Sequence, residues 1–187
     1  MPSEIVIFDT EYTAWEGSMQ RKWSGPNEYR EIIQIGAVIV DTTNYVEKNH
    51  MLLYVRPVKN PILSEFIIQL TGISQKIVDS EGLVYPEAIK QFKQWVGGRP
   101  LFCWGIDVEV MAENATLLGT LFPFSISGKT DIRPLFAGYG IDTSLFSSGT
   151  IPRAFGETPP AHAHDALNDA RSILQALQAL KRKDPRD

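Results

Sequence analysis

Asp9 and Glu11 stand two residues apart at the end of an apolar run, Ile5-Val6-Ile7-Phe8. Side chains two apart on a strand share a face, with Cα atoms roughly 6.5–7 Å apart, so two such carboxylates can converge on one cation. Asp-x-Glu is also a common tripeptide at solvated strand ends, but Asp9 interrupts an apolar strand, where a charge is costly unless compensated. Asp107 opens a helix directly after the buried run Leu101-Phe102-Cys103-Trp104. That is the carboxyl end of a strand, where sites in open α/β sheets gather, although an aspartate at a helix start is also an ordinary cap. His164-Asp165-Ala166-Leu167-Asn168-Asp169 begins the last amphipathic segment. There Asp165 reads as the N-cap and Asp169 falls outside the apolar stripe. Ala166 leaves room for an approaching group, so His164 and Asp169 can face a cleft together. His162 reads as an exposed loop histidine.

Taken together, the four carboxylates Asp9, Glu11, Asp107 and Asp169 lie at the edges of otherwise buried elements. Packed on one side of a sheet they would repel one another severely. Two divalent cations remove that cost, and all-oxygen donors suit Mg²⁺ or Mn²⁺. Lys plus Arg (18) against Asp plus Glu (22) gives a net charge of −4; a long phosphate groove would normally show a basic excess, so any nucleic-acid role must rest on a local site. Four negative charges against two dications cancel formally, so phosphate need not be repelled at a loaded site.

The elements that must position these groups follow from pattern. The chain has 187 residues, 43% of them apolar, enough for one well-buried domain over 1–187 and too few for two. Glu4 to Asp9 reads as a buried strand, followed by a long polar and aromatic loop, Thr10 to Arg30, of the kind that often carries function. Arg21, Lys22 and Arg30 in it are candidate phosphate contacts or simply solvated charges. Ile32 to Val40 and Met51 to Arg56 flank the turn Asp41-Thr42-Thr43-Asn44 and read as a hairpin. Ser64 caps a helix over Phe66, Ile67 and Leu70 that Gly72 stops, and Pro86 to Val96 is helical with Gly97-Gly98 as its stop. Asp107 to Gly119 is a helix, and Thr130 or Asp131 caps a short one ending near Gly138-Tyr139-Gly140. The last helix runs from Asp165 to Lys181 and ends in a charged tail over 181–187. Strands first, then helices alternating with a strand, give an α/β fold with a mixed sheet flanked by helices.

Cys103 is the single cysteine. It supplies neither an internal disulfide nor a zinc or iron–sulfur cage, and a reducing, cytoplasmic compartment is the expectation. The N-terminal apolar run lacks a basic lead and is too short for a signal peptide or a membrane span, so no membrane association is expected.

The motifs carry a resemblance. Phe8-Asp9-Thr10-Glu11 resembles the first motif of the DEDD 3′–5′ exonucleases, Asp107 with Met111 the second, and His164-x-Ala166-x-x-Asp169 the third in its histidine-bearing, DEDDh form. Glu31 to Val38, Val55-Arg56-Pro57, Pro61 to Ser64, Leu70 to Ile73 and Val78-Asp79 are similar to the branch of the histone-mRNA 3′-end and RNA-interference-inhibiting exonucleases. The resemblance spans Ile5 to about Leu180. In one respect the chain departs from the branch: Cys103-Trp104-Gly105-Ile106-Asp107 is one residue shorter before its aspartate, and Glu109 is a poor substitute because it would turn away on the helix.

The resemblance implies a three-layer, ribonuclease H-like fold and hydrolysis of single-stranded RNA or DNA from its 3′ end with two Mg²⁺ or Mn²⁺ ions. It implies that Asp9, Glu11 and Asp169 hold one ion, that Asp9 and Asp107 hold the other, and that His164 is the general base. Trp15 and Trp104 are candidate stacking platforms for a terminal base, or ordinary packing residues, and Thr13 matches a position that contacts the terminal nucleotide in relatives. Two other readings remain open: a catalytically silent nucleic-acid-binding relative, and a proofreading or dinucleotide-clearing nuclease.

Overall fold

The computed structural model describes residues 2–125, 130–160 and 164–183; His162 lies outside them. Strands β1 (Glu4–Tyr12), β2 (Ile32–Asp41) and β3 (Val46–Tyr54) form an antiparallel meander, and β4 (Leu101–Phe102) pairs parallel with β1, giving the order β3-β2-β1-β4. Helices α1 (Glu65–Thr71), α2 (Gln75–Glu81) and α3 (Tyr85–Val96) precede β4. After it come α4 (Asp107–Leu117), α5 (Arg133–Gly138), two 3₁₀ turns at Thr143–Leu145 and Ile151–Phe155, and α6 (Ala166–Lys183).

Strand alternation sends β1 residues to two cores. Val6 and Phe8 pack with Ile35, Ala37, Phe92 and Met111 on the side of α3 and α4. Ile5 and Ile7 pack with Val38, Val40, Ile173 and Leu177 on the side of α6. The sheet therefore sits between two helical layers, as the pattern indicated. Asp9 and Glu11 continue the Ile5–Ile7 series, so both lie on the α6 face. The strand extends beyond Asp9 because Thr10, Glu11 and Tyr12 still pair with Ile35, Gln34 and Ile32, which shortens the expected loop.

The helix signals were largely sound. Ser64 accepts from Ile67 N at 3.1 Å, and Gly72 ends α1 with φ of 74°. Asp165 caps α6 through Asn168 N at 2.9 Å. Asp131 sits two residues before α5 and accepts from Arg133 N at 3.0 Å, while the N-cap position itself is Ile132, which makes no side-chain cap bond. Helix α6 continues to Lys183, with Lys181 bonded to Thr43 O and Arg182 paired with Glu157. Among the described residues, no helix is long and apolar enough to cross a membrane.

Candidate active site

Four buried acidic side chains meet where β1, α4 and α6 converge: Asp9 (6% exposed), Glu11 (7%), Asp107 (7%) and Asp169 (4%). They share a cleft of about 600 Å³ with His164, Trp15, Trp104 and Ser148. That volume lies within the roughly 300–1,000 Å³ typical of small-molecule sites. Ligand atoms of Glu11, His164 and Asp169 all lie within 4.8 Å of one another.

Each group arrives by a local device. Asp9 and Glu11 follow from the period of β1. Asp107 is the first residue of α4 and does not cap it; the N-cap position is Ile106, with no side-chain cap bond. Its Oδ1 instead accepts from Thr10 Oγ1 at 2.5 Å and Thr10 N at 3.2 Å, tying it back to β1. The shortened segment before it turns through Gly105, whose φ of 91° suits glycine and whose N–H donates to Asp131 Oδ1 at 3.1 Å. Asp107 lines the same cleft as Asp9, Glu11 and Asp169. Glu109 lines a different cavity, between α4 and residues 22–30.

Asp169 stands in the first turn of α6. Its Oδ2 accepts from Ser148 Oγ at 3.3 Å and His164 N at 3.4 Å, whereas Oδ1 is buried with no hydrogen-bond partner. His164 adopts the left-handed region at φ 67°. The space that the sequence left beside Ala166 is filled by β2: Ala166 is fully buried, and Gly36 lies against it.

Burial and mutual repulsion set the protonation of these groups. Asp9 is held well above the usual carboxylate range, first by burial and then by Asp107, Asp169 and Glu11. Glu11 is raised by burial and then by Asp169 and Asp107. Burial pushes Asp107 up to about 7 against the opposing Thr10 hydrogen bonds. It pushes Asp169 up to about 6 against those from His164 N and Ser148. Burial lowers the pKa of the His164 imidazole, favouring its neutral form near pH 7. Hard oxygen donors, crowded negative charge and an orphaned carboxylate oxygen are what a divalent-cation site requires, and the residues present fit one.

Other expected contacts are arranged differently. Thr13 is 2% exposed; its hydroxyl donates to Tyr29 O at 2.6 Å and accepts from Glu31 N at 3.0 Å, so it faces the interior. Arg21 pairs with Glu28 and Arg30 with Glu113, so both are engaged with carboxylates. Trp104 leans on Phe136 with ring centroids 5.6 Å apart and still lines the cleft, as does Trp15. Ser148, from a polar loop, and Phe66 and Leu70, from the apolar face of α1, also line the cleft although none of them was an expected site residue.

A three-layer fold that gathers four carboxylates and a histidine around the carboxyl end of an interior strand of a mixed sheet is the ribonuclease H-like exonuclease architecture. The nuclease domain of 3′hExo, a DEDDh family member bound to rAMP, superposes with a TM-score of 0.80 at 24% identity, covering 96% of this chain and 92% of that one. The exonuclease family model (RNase_T) matches residues 6–177, and the chain belongs to this family. Human ERI1 exoribonuclease 2 is 34% identical over 153 residues, 74% of this chain and 21% of the relative. The Drosophila melanogaster 3′-5′ exonuclease Snipper is 34% identical over 115 residues, 62% of this chain and 36% of the relative. The chain thus spans well under half the length of either relative.

Proposed function

We propose that this chain is one exonuclease unit that removes nucleoside 5′-monophosphates from the 3′ end of single-stranded nucleic acid, RNA before DNA, in a reducing, cytoplasmic compartment. The observation that carries the reading is the convergence of Asp9, Glu11, Asp107 and Asp169 with His164 in one cleft. The family match supports the reaction class. RNA is favoured because the human relative is an exoribonuclease and the 3′hExo domain binds rAMP.

By family analogy, Asp9, Glu11 and Asp169 would hold one Mg²⁺ or Mn²⁺ ion, and Asp9 and Asp107 would hold a second. Such a pair, when bound, neutralises the carboxylates and stabilises the attacking and leaving oxygens of a phosphodiester. His164 then accepts the proton of the attacking water, a task that requires the neutral imidazole its burial favours. Ser148 and the His164 amide hold Asp169 in orientation through Oδ2. Trp15, Phe66, Leu70 and Trp104 give the cleft an apolar wall on which a terminal base can stack, a contact worth roughly 1–3 kcal/mol per base.

The silent-relative reading draws on the shortened segment before Asp107; that Asp107 lines the same cleft as Asp9, Glu11, Asp169 and His164 supports the enzyme. The test is a panel of 3′-labelled single-stranded RNA and DNA, a dinucleotide and a mismatched duplex, each with Mg²⁺, Mn²⁺ or EDTA. The proposal expects metal-dependent release of labelled mononucleotide, fastest from single-stranded RNA. Tight binding without release under any divalent ion would favour the silent relative, and a preference for the dinucleotide or the mismatch would redirect the substrate assignment.

A further inference from the structure

We propose that Gln34 is a positioning residue for His164 and Asp169, acting through the first amide of α6; this role rests on the nuclease reading above. An α-helix leaves its first amides without partners inside the helix. In α6 the Asp165 carboxylate takes the Asn168 N–H. The Ala166 N–H donates to Gln34 Oε1 at 2.8 Å, across 132 residues of sequence. Ala166 is fully buried and Gln34 is 1% exposed, so solvent offers this amide no substitute.

The placement of Gln34 links this contact to the chemistry. On β2 it stands directly opposite Glu11, and two residues further on Gly36 stands opposite Asp9. A Cβ on Gly36 would lie 2.1 Å from Leu167 N and 2.3 Å from the Ala166 carbonyl carbon, so the helix backbone rests on the sheet at that point. Gly36 sets how closely α6 approaches, and Gln34 sets where along the strand its first turn sits. That turn begins two residues after His164 and carries Asp169. Strand residues opposite two of the carboxylates therefore locate a third carboxylate and the histidine.

Gln34→Met keeps the length of the side chain and removes the acceptor, while Gln34→Glu keeps an acceptor oxygen. The two are compared with wild type by amide hydrogen exchange at Ala166 and by steady-state release of label from 3′-labelled RNA with Mn²⁺. A misplacement near 1 Å costs about 100-fold in rate. Gln34→Met is therefore expected to exchange Ala166 about tenfold faster or more and to lose about 10- to 100-fold in kcat with KM little changed. Gln34→Glu is expected to restore protection at Ala166 and to exceed the methionine variant in kcat. Wild-type exchange and kcat in Gln34→Met overturn the proposal, as does a Gln34→Glu protein as impaired as Gln34→Met by both readouts. A wild-type protein that releases no label overturns the nuclease reading instead, and exchange at Ala166 then judges the Gln34 contact by itself.

Discussion

Gly149 and Asp169 touch so closely that no side chain fits between them: a Cβ on Gly149 would lie 2.5 Å from Asp169 Oδ1 and 3.0 Å from its carboxyl carbon. The loop before the second 3₁₀ turn therefore presses its backbone on the carboxylate that Ser148 and the His164 amide hold from the other oxygen. Gly149→Ala is expected to displace that carboxylate and lower kcat about tenfold or more, because reacting geometry tolerates little displacement. The melting temperature should change little, since the loop lies outside the two main cores. Wild-type kcat in a folded Gly149→Ala protein would show that the contact does not matter.

Removing one of the repelling carboxylates should uncouple stability from activity. Burial first, and then Asp107, Asp169 and Glu11, raise the Asp9 carboxyl well above the usual carboxylate range. Asp9→Asn relieves that repulsion while deleting a cation ligand, so the metal-free variant is expected to melt above wild type at pH 7.5 and to show no turnover. Sites that store strain for function commonly show this trade. Differential scanning calorimetry in EDTA, with a label-release assay on the same preparation, checks both halves.

The pH dependence of the metal-free protein has a definite sign. Asp107 and Asp169 titrate near 7 and near 6 when folded, against 3.8 for an ordinary aspartate. Between about pH 4 and those values the folded protein keeps protons that the unfolded chain has released, so stability falls as pH rises through that window. Divalent ions bind the deprotonated carboxylates and compete with those protons. The melting temperature in EDTA should fall from pH 5 to pH 7.5, and the gain from adding Mn²⁺ should be larger at pH 7.5. An equal Mn²⁺ gain at both values would separate these carboxylates from cation binding.

His164 should matter to rate more than to cation affinity. His164→Ala removes the proton acceptor and leaves all four carboxylates, so kcat is expected to fall by about 10²–10⁴-fold, the usual range for losing a general base. Mn²⁺ affinity by calorimetry should stay near wild type. A large loss of Mn²⁺ affinity would instead make the imidazole a ligand, which its closeness to Glu11 and Asp169 also permits.

Much of this architecture was legible because period carries it. Alternation along Ile5, Ile7, Asp9 and Glu11 placed both acids on one face, and Ser64, Gly72 and Asp165 marked helix ends where they occur. Helix α2 gave little signal: it has seven residues, and only Val78 in it is fully buried. Ser148 gave none, since a serine in a polar loop has no spacing to betray it. The inward turn of Thr13 and the pairing of Arg21 and Arg30 depend on Tyr29, Glu28 and Glu113, partners that sequence order does not reveal. The shortened segment before Asp107 could be judged only once Gly105 and Thr10 were placed.

The most direct measurement is a calorimetric titration of Mn²⁺ into the metal-free protein with a nucleoside 5′-monophosphate present, alongside the Asp9→Asn variant. Two ions per chain in wild type and the loss of that pair in the variant are predicted. No Mn²⁺ binding to wild type, or binding that Asp9→Asn leaves unchanged, would contradict a cluster built to hold paired cations.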